Sequence, residues 1–86
     1  MDEREYQEKL GQVREEIDAI DKQLLPLFLA RMDCSQRVAR LKAQAGAPVF
    51  APQREQAILD RVRKEAGEYG GEAASLYGSI MAGGRA

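Results

Sequence analysis

The side chains most able to bind a ligand are cations in the first half of the chain. Apolar residues there recur at alternating spacings of three and four, the pattern of a helical seam that packs against another helix. Arg31 occupies one seam position, where an apolar side chain is expected. Burying a guanidinium without an anion would cost several kcal/mol. The pattern therefore predicts a carboxylate partner from a ligand or from the protein, unless the side chain extends to solvent.

The position of Lys42 favours a ligand as the source of the anion that pairs with Arg31. It lies about three helical turns after Arg31 and within about 20° of the same face, so both cations could hold one anion. Taken alone, Lys42 is more typical of a solvated residue near a helix C-terminus, where the helix dipole favours a cation.

Arg14 lies about 25 Å along the helix axis from Arg31. The two side chains could grip one small ligand only if the helix packed against an antiparallel copy of itself. Otherwise Arg14 is an ordinary surface residue beside the seam. Arg54 and Glu55 open a second predicted helix, where the dipole favours Glu55 whatever its function and mildly disfavours Arg54.

The composition excludes several kinds of chemistry. There is no histidine and one cysteine, Cys34, so the commonest general base, a zinc site built on paired cysteines and an internal disulfide are all excluded. We expect no metal, no cofactor and a reaction that needs little proton transfer. Net charge is −1, from 13 basic and 14 acidic residues, which gives no basic excess for nucleic acid. The charged N-terminus and the lack of a long apolar run predict a cytoplasmic protein that does not bind membranes.

These residues must be positioned by helices. We predict one domain, residues 1–86, beginning with a helix over about 3–45 that Asp2 caps and Gly46 and Pro48 end. Pro26 lies inside it and should kink it near residues 22–26, or else split it in two. A second helix over about 52–66 should start at Pro52, with Ile58, Leu59 and Val62 facing inward.

A turn over residues 65–71 should lead into the third helix. We predict that helix over about 72–81, with an apolar stripe made by Ala73, Leu76, Tyr77 and Ile80. The fold class is therefore all-α, with three helices per protomer and a very long first helix.

The first helix is too long for one compact chain. From Leu10 to Leu41 it rises about 46 Å, whereas a globule of this length is about 30 Å across. The two shorter helices cannot cover the whole seam. We expect a second copy of the chain to cover it, in a two-fold homodimer.

Together these residues resemble the all-α chorismate mutase family over nearly the whole chain. The resemblance rests on residues 14–25 (REEIDAIDKQLL), Arg31, residues 38–42 (VARLK), Pro48-Val49 and Arg54-Glu55. Residues 24–32 (LLPLFLARM) also resemble the mutase domain that some bacteria fuse to prephenate dehydratase. The resemblance implies an intertwined antiparallel homodimer with two shared sites.

The resemblance also implies an isomerase that rearranges chorismate to prephenate in phenylalanine and tyrosine biosynthesis. This Claisen rearrangement is unimolecular and needs no nucleophile or metal. Catalysis would come from restricting the substrate to a reactive conformer and from cations placed where charge develops. By the family pattern, Arg31 and Arg14 of the partner subunit bind the two carboxylates, and Lys42 contacts a carboxylate and the ether oxygen.

The remaining family positions fall at the start of the second helix and beside the seam. Glu55 would accept the ring hydroxyl, Arg54 would shape the site, Val38 would line it, and the Ala51 amide could contact ligand. Three departures stand out: Ala51 where the family often has aspartate, Gly84 where it has a small hydroxyl residue, and a polar residue near position 88, beyond Ala86. A chain extended to a glutamine at position 88, with serine replacing Gly84, is expected to react faster.

Two other functions remain open. One is an isochorismate-pyruvate lyase on the same fold, which would release pyruvate. The other is a non-catalytic helical dimerisation or regulatory module, in which protein carboxylates pair with the inward cations.

Overall fold

The computed structural model describes residues 1–84, and over that range the protein is all-α, as predicted. Helix α1 spans Glu3–Ala45, α2 spans Pro52–Ala66 and α3 spans Gly70–Gly84. A single 3-10 turn, Gly67–Tyr69, joins α2 to α3. None of the helices within residues 1–84 is long and apolar enough to cross a membrane.

Helix α1 begins and ends as the sequence predicts. The Glu5 backbone N–H donates to Asp2 Oδ1 at 2.8 Å, so the aspartate satisfies one of the free amides of the first turn. At the other end Gly46 adopts a positive φ of 69°, and the Ala47 amide donates to the Lys42 carbonyl at 2.8 Å. The helix is continuous through Pro26, so the alternative of two separate helices is wrong. The predicted kink stays a prediction.

The chain divides into two compact units, Met1–Arg31 and a second that begins at Met32. The first unit is the N-terminal part of α1 and contains no buried side chain. Its seam is open to solvent, with Ile20 61%, Leu24 54% and Leu27 68% exposed. A single copy of this unit therefore leaves a long apolar stripe uncovered.

The second unit holds the core. Ile58 and Val62 of α2 pack with Met81 of α3, and all three are at least nine-tenths buried. Leu59, Ala73 and Tyr77 pack against this cluster. The predicted inward residues of α2 are thus confirmed.

The predicted stripe of α3 is wrong at Leu76, which is 54% exposed. Ala74 and Met81 are buried instead, and Met81 packs against Ile58 and Val62 of α2. The helix also begins at Gly70 rather than near residue 72, and the turn before it is correspondingly shorter than predicted. A Cβ on Gly70 would lie 2.9 Å from the Arg63 carbonyl oxygen, so only glycine lets the two backbones approach this closely.

Candidate functional site

Lys42 is the cation whose position is best defined. It lies in the last turn of α1, is half-buried, and donates from Nζ to the Val49 carbonyl at 2.9 Å. Val49 belongs to the connector between α1 and α2, which folds back over the end of α1 to make this contact. An ammonium has three donors, so this bond fixes the group and leaves further N–H donors for an anion.

Val38 and Ser35 share the helix face of Lys42, because they precede it by four and seven residues. Val38 is half-buried, as expected of a residue that lines a site. Ser35 is 1% exposed, the one buried polar side chain within residues 1–84. Sequence reasoning missed it, although its spacing from Lys42 and Val38 carried the signal.

Ser35 lies against the end of α3. An ideal Cβ on Gly84 would stand 2.9 Å from Ser35 Oγ, 3.0 Å from Ser35 Cβ and 3.5 Å from Met32 Cε. A serine at position 84 therefore has no room unless Ser35 shifts. This argues against the expected benefit of replacing Gly84 by serine; the other expected residue, near position 88, lies outside the described residues.

The start of α2 places three of the predicted residues. Ala51 is half-buried and precedes Pro52, with φ −123° and ψ 83°, and α2 has no side-chain cap, as expected from an alanine there. The Ala51 carbonyl accepts the Glu55 amide at 3.1 Å. Glu55 is half-buried and Arg54 is exposed.

The two remaining predicted residues belong to the N-terminal unit. Arg14 is exposed, whereas Arg31 is half-buried. Arg37, a neighbouring cation of α1, is engaged elsewhere, since its Nε lies 3.1 Å from Asp33 Oδ2 on the exposed side of the helix. Within residues 1–84 no cluster of three histidine, cysteine, aspartate or glutamate side chains could hold a metal ion.

Comparison with known proteins gives three informative relatives. The T-protein of Haemophilus influenzae is 38% identical over 76 residues, which are 88% of this chain and 20% of that protein. The chorismate mutase of Methanocaldococcus jannaschii is 44% identical over 57 residues, 66% of this chain and 58% of the relative. The 4-amino-4-deoxychorismate mutase of Streptomyces venezuelae is 36% identical over 64 residues, 74% of this chain and 62% of the relative.

The chain thus spans less than two thirds of the length of each of these relatives. No solved structure matches it. A model of the family described as chorismate mutase type II matches residues 13–86, which include every candidate site residue named above. The chain belongs to the chorismate mutase type II family.

Proposed function

We propose that this chain catalyses the rearrangement of chorismate to prephenate in aromatic amino-acid biosynthesis. The observation that carries the proposal is Lys42, a half-buried ammonium held by the Val49 carbonyl on the helix face that also carries Val38. A cation fixed in this way costs little reorganisation when charge develops on a ligand oxygen.

The chemistry fits the residues that are present. The rearrangement breaks an ether bond and forms a carbon–carbon bond within one molecule, so negative charge develops on the ether oxygen and no proton need move. Lys42 would stabilise that charge and bind a carboxylate. Arg31 of one protomer would hold one carboxylate in a bidentate pair, and Arg14 of the partner subunit would hold the other. Together they would select the reactive conformer.

A homodimer is part of this proposal. Residues 1–31 expose a contiguous apolar stripe and not the single scattered apolar residues that are normal on a protein surface. The stripe includes Val13, Ile17, Ile20, Leu24 and Leu27. A second copy carries the same stripe and is complementary to it in an antiparallel two-fold pair. That pairing is also what would bring Arg14 of the partner subunit to the site, as Arg14 is too far along the helix to serve its own.

The start of α2 would recognise the ring. Glu55 would accept a hydrogen bond from the ring hydroxyl, Arg54 would shape the entrance, and the Ala51 amide would meet a ligand oxygen. The relative in Streptomyces venezuelae suggests a second substrate, 4-amino-4-deoxychorismate. A carboxylate accepts from a ring ammonium as readily as from a hydroxyl, so we propose that both substrates be compared.

We also propose that the protein works in the cytoplasm. Its one cysteine, Cys34, is exposed and free, a state that a reducing compartment preserves.

One assay decides among these functions. The purified chain is incubated with chorismate, with 4-amino-4-deoxychorismate and with isochorismate, and the products are separated and identified. Prephenate from chorismate supports the proposal. If only 4-amino-4-deoxychorismate is rearranged, that compound is the substrate and chorismate is not. Pyruvate from isochorismate would make the chain a lyase. A folded protein that consumes none of them would be a non-catalytic dimerisation module.

A further inference from the structure

Ser35 carries a buried hydroxyl that pairs with none of the described residues. It is 1% exposed, and within residues 1–84 its Oγ makes no hydrogen bond. A serine inside a helix ordinarily satisfies itself on the carbonyl four residues earlier or points to solvent. Ser35 does neither, and a buried polar group left unsatisfied destabilises the fold.

The position of Ser35 ties it to the candidate site. It precedes Lys42 by seven residues, which is about two turns and about 20° around the helix, and Val38 lies between them on the same face. The rise from Ser35 to Lys42 is about 10 Å. A small dicarboxylate and the lysine side chain together can span that length.

Gly84 shapes the space around the hydroxyl. The Cβ that Gly84 lacks would stand 2.9 Å from Ser35 Oγ, so the hydroxyl fills the volume that a side chain at position 84 would otherwise occupy. A side chain at position 84 therefore has no room while the Ser35 hydroxyl stays in place. One hydroxyl fits between α1 and α3 at this point, and here α1 provides it.

We propose that Ser35 is a substrate-binding residue whose O–H donates a hydrogen bond to an oxygen of the bound dicarboxylate, and that this hydroxyl can be exchanged between positions 35 and 84. The inference rests on the proposed function and deepens it. Serine χ1 has three staggered wells, so the hydroxyl can change direction without a change in the backbone. The ligand oxygen then supplies an acceptor that residues 1–84 do not.

A purely structural role makes the opposite prediction. If Ser35 only fills space beneath α3, replacing it by alanine removes an unsatisfied hydroxyl, raises stability and leaves ligand binding unchanged. Stability and affinity must therefore be measured on the same variants.

The test compares wild type, Ser35→Ala and the control Ser79→Ala, which removes an exposed hydroxyl from α3. The probe is an oxabicyclic dicarboxylate that mimics the chair-like transition state, titrated by calorimetry, with urea unfolding measured in parallel. We expect Ser35→Ala to bind the mimic about tenfold more weakly at an equal or higher urea midpoint, and Ser79→Ala to match wild type. Wild-type affinity in Ser35→Ala would overturn the inference.

The exchange is tested by moving the hydroxyl. In Ser35→Ala/Gly84→Ser the new Cβ meets the Cβ of the alanine at about the 3.0 Å now measured to Ser35 Cβ, so the variant requires a displacement of a few tenths of an ångström. We expect the double variant to regain affinity over Ser35→Ala. Affinity no better than that of Ser35→Ala would overturn the exchange.

Failure of the proposed function looks different from failure of this inference. A wild-type chain that neither binds the mimic nor consumes chorismate would overturn both. A wild-type chain that does both, while Ser35→Ala equals it, would overturn the role of Ser35 alone.

Discussion

Arg31 occupies a seam position in α1, and its charged side chain is half-buried there. Partial burial of a guanidinium is unfavourable unless an anion lies near it. A lysine carries the same charge but lacks the planar fork that binds a carboxylate through two parallel bonds. The functional interpretation therefore depends on the geometry of the group and not on its charge alone.

Replacing Arg31 by lysine tests that geometry. We expect Arg31→Lys to lose most chorismate turnover and most affinity for the dicarboxylate mimic, while far-UV circular dichroism shows the same helix content. If Arg31→Leu bound the mimic like wild type and only gained stability, Arg31 would be paired within the protein.

Lys42 offers a matched comparison. Lys42→Met is expected to lower kcat about a hundredfold or more, because it removes a donor placed where charge develops. Lys64→Met, which changes an exposed lysine in the last turn of α2, should leave kcat unchanged. Equal activity in both variants would remove Lys42 from the mechanism.

At the scale of elements, the contact between α2 and α3 depends on glycine. Gly70 is buried at the first position of α3, with the Arg63 carbonyl oxygen 2.9 Å from where its Cβ would be. Its backbone φ is −55°, which any residue can adopt, so space and not conformation requires glycine there.

Alanine substitutions at Gly70 and Gly71 separate the effect of space from the effect of helix propensity. Gly70→Ala should lower the free energy of unfolding by about 1–3 kcal/mol, because a methyl group would press on backbone that cannot move aside. Gly71→Ala meets nothing within 4 Å and should raise it by about 0.5–1 kcal/mol through helix propensity. Urea unfolding of both variants checks this, and a destabilised Gly71→Ala would contradict it.

For the whole molecule, the N-terminal unit has no core of its own. Among its apolar residues Val13, Ile17 and Leu27 are 52%, 48% and 68% exposed, and the stripe they form continues along residues 1–31. Each apolar side chain that a partner covered would contribute on the order of 1.5–3 kcal/mol. We therefore expect the apolar stripe to drive association with a second copy of the chain.

We expect a stable homodimer in sedimentation velocity experiments at micromolar concentration. Burial of the stripe should also make the thermal midpoint depend on protein concentration. A folded, fully helical monomer at that concentration would contradict the proposed architecture and, with it, the shared site.

Mixing two inactive variants tests the shared site directly. If each pocket takes Arg31 from one protomer and Arg14 from the other, Arg14→Ala and Arg31→Ala should both be nearly inactive. After subunit exchange about half of the dimers are mixed, and two-fold symmetry gives each of these one pocket without a lesion. The mixture should recover about a quarter of the wild-type sites, counted by turnover or by binding of the mimic.

The control is direct evidence of exchange, obtained from protomers of different mass. A mixture that exchanges fully but stays as inactive as its parents would mean that the pocket lies within one protomer or does not exist.

The sequence by itself determined those features that depend on local rules. The span of α1 followed from its seam, from Asp2 at the start and Gly46 at the end, and the start of α2 from Pro52, because caps and turn residues act within a few positions of the chain. Spacing on one face of α1 also indicated Arg31 and Lys42, whereas the site roles of Arg14 and Arg54 came from the family resemblance. The family comparison confirmed the family that those residues suggested.

Only the tertiary structure decided which side chains meet across elements. It showed that Lys42 binds the Val49 carbonyl, that α3 buries Ala74 and Met81 rather than Leu76, and that Ser35 lies where a side chain at position 84 would lie. In α3 the sequence is rich in glycine, alanine and serine, so hydrophobic periodicity defines its inward face weakly. Packing of Met81 against α2 sets that face instead, and packing depends on both partners at once.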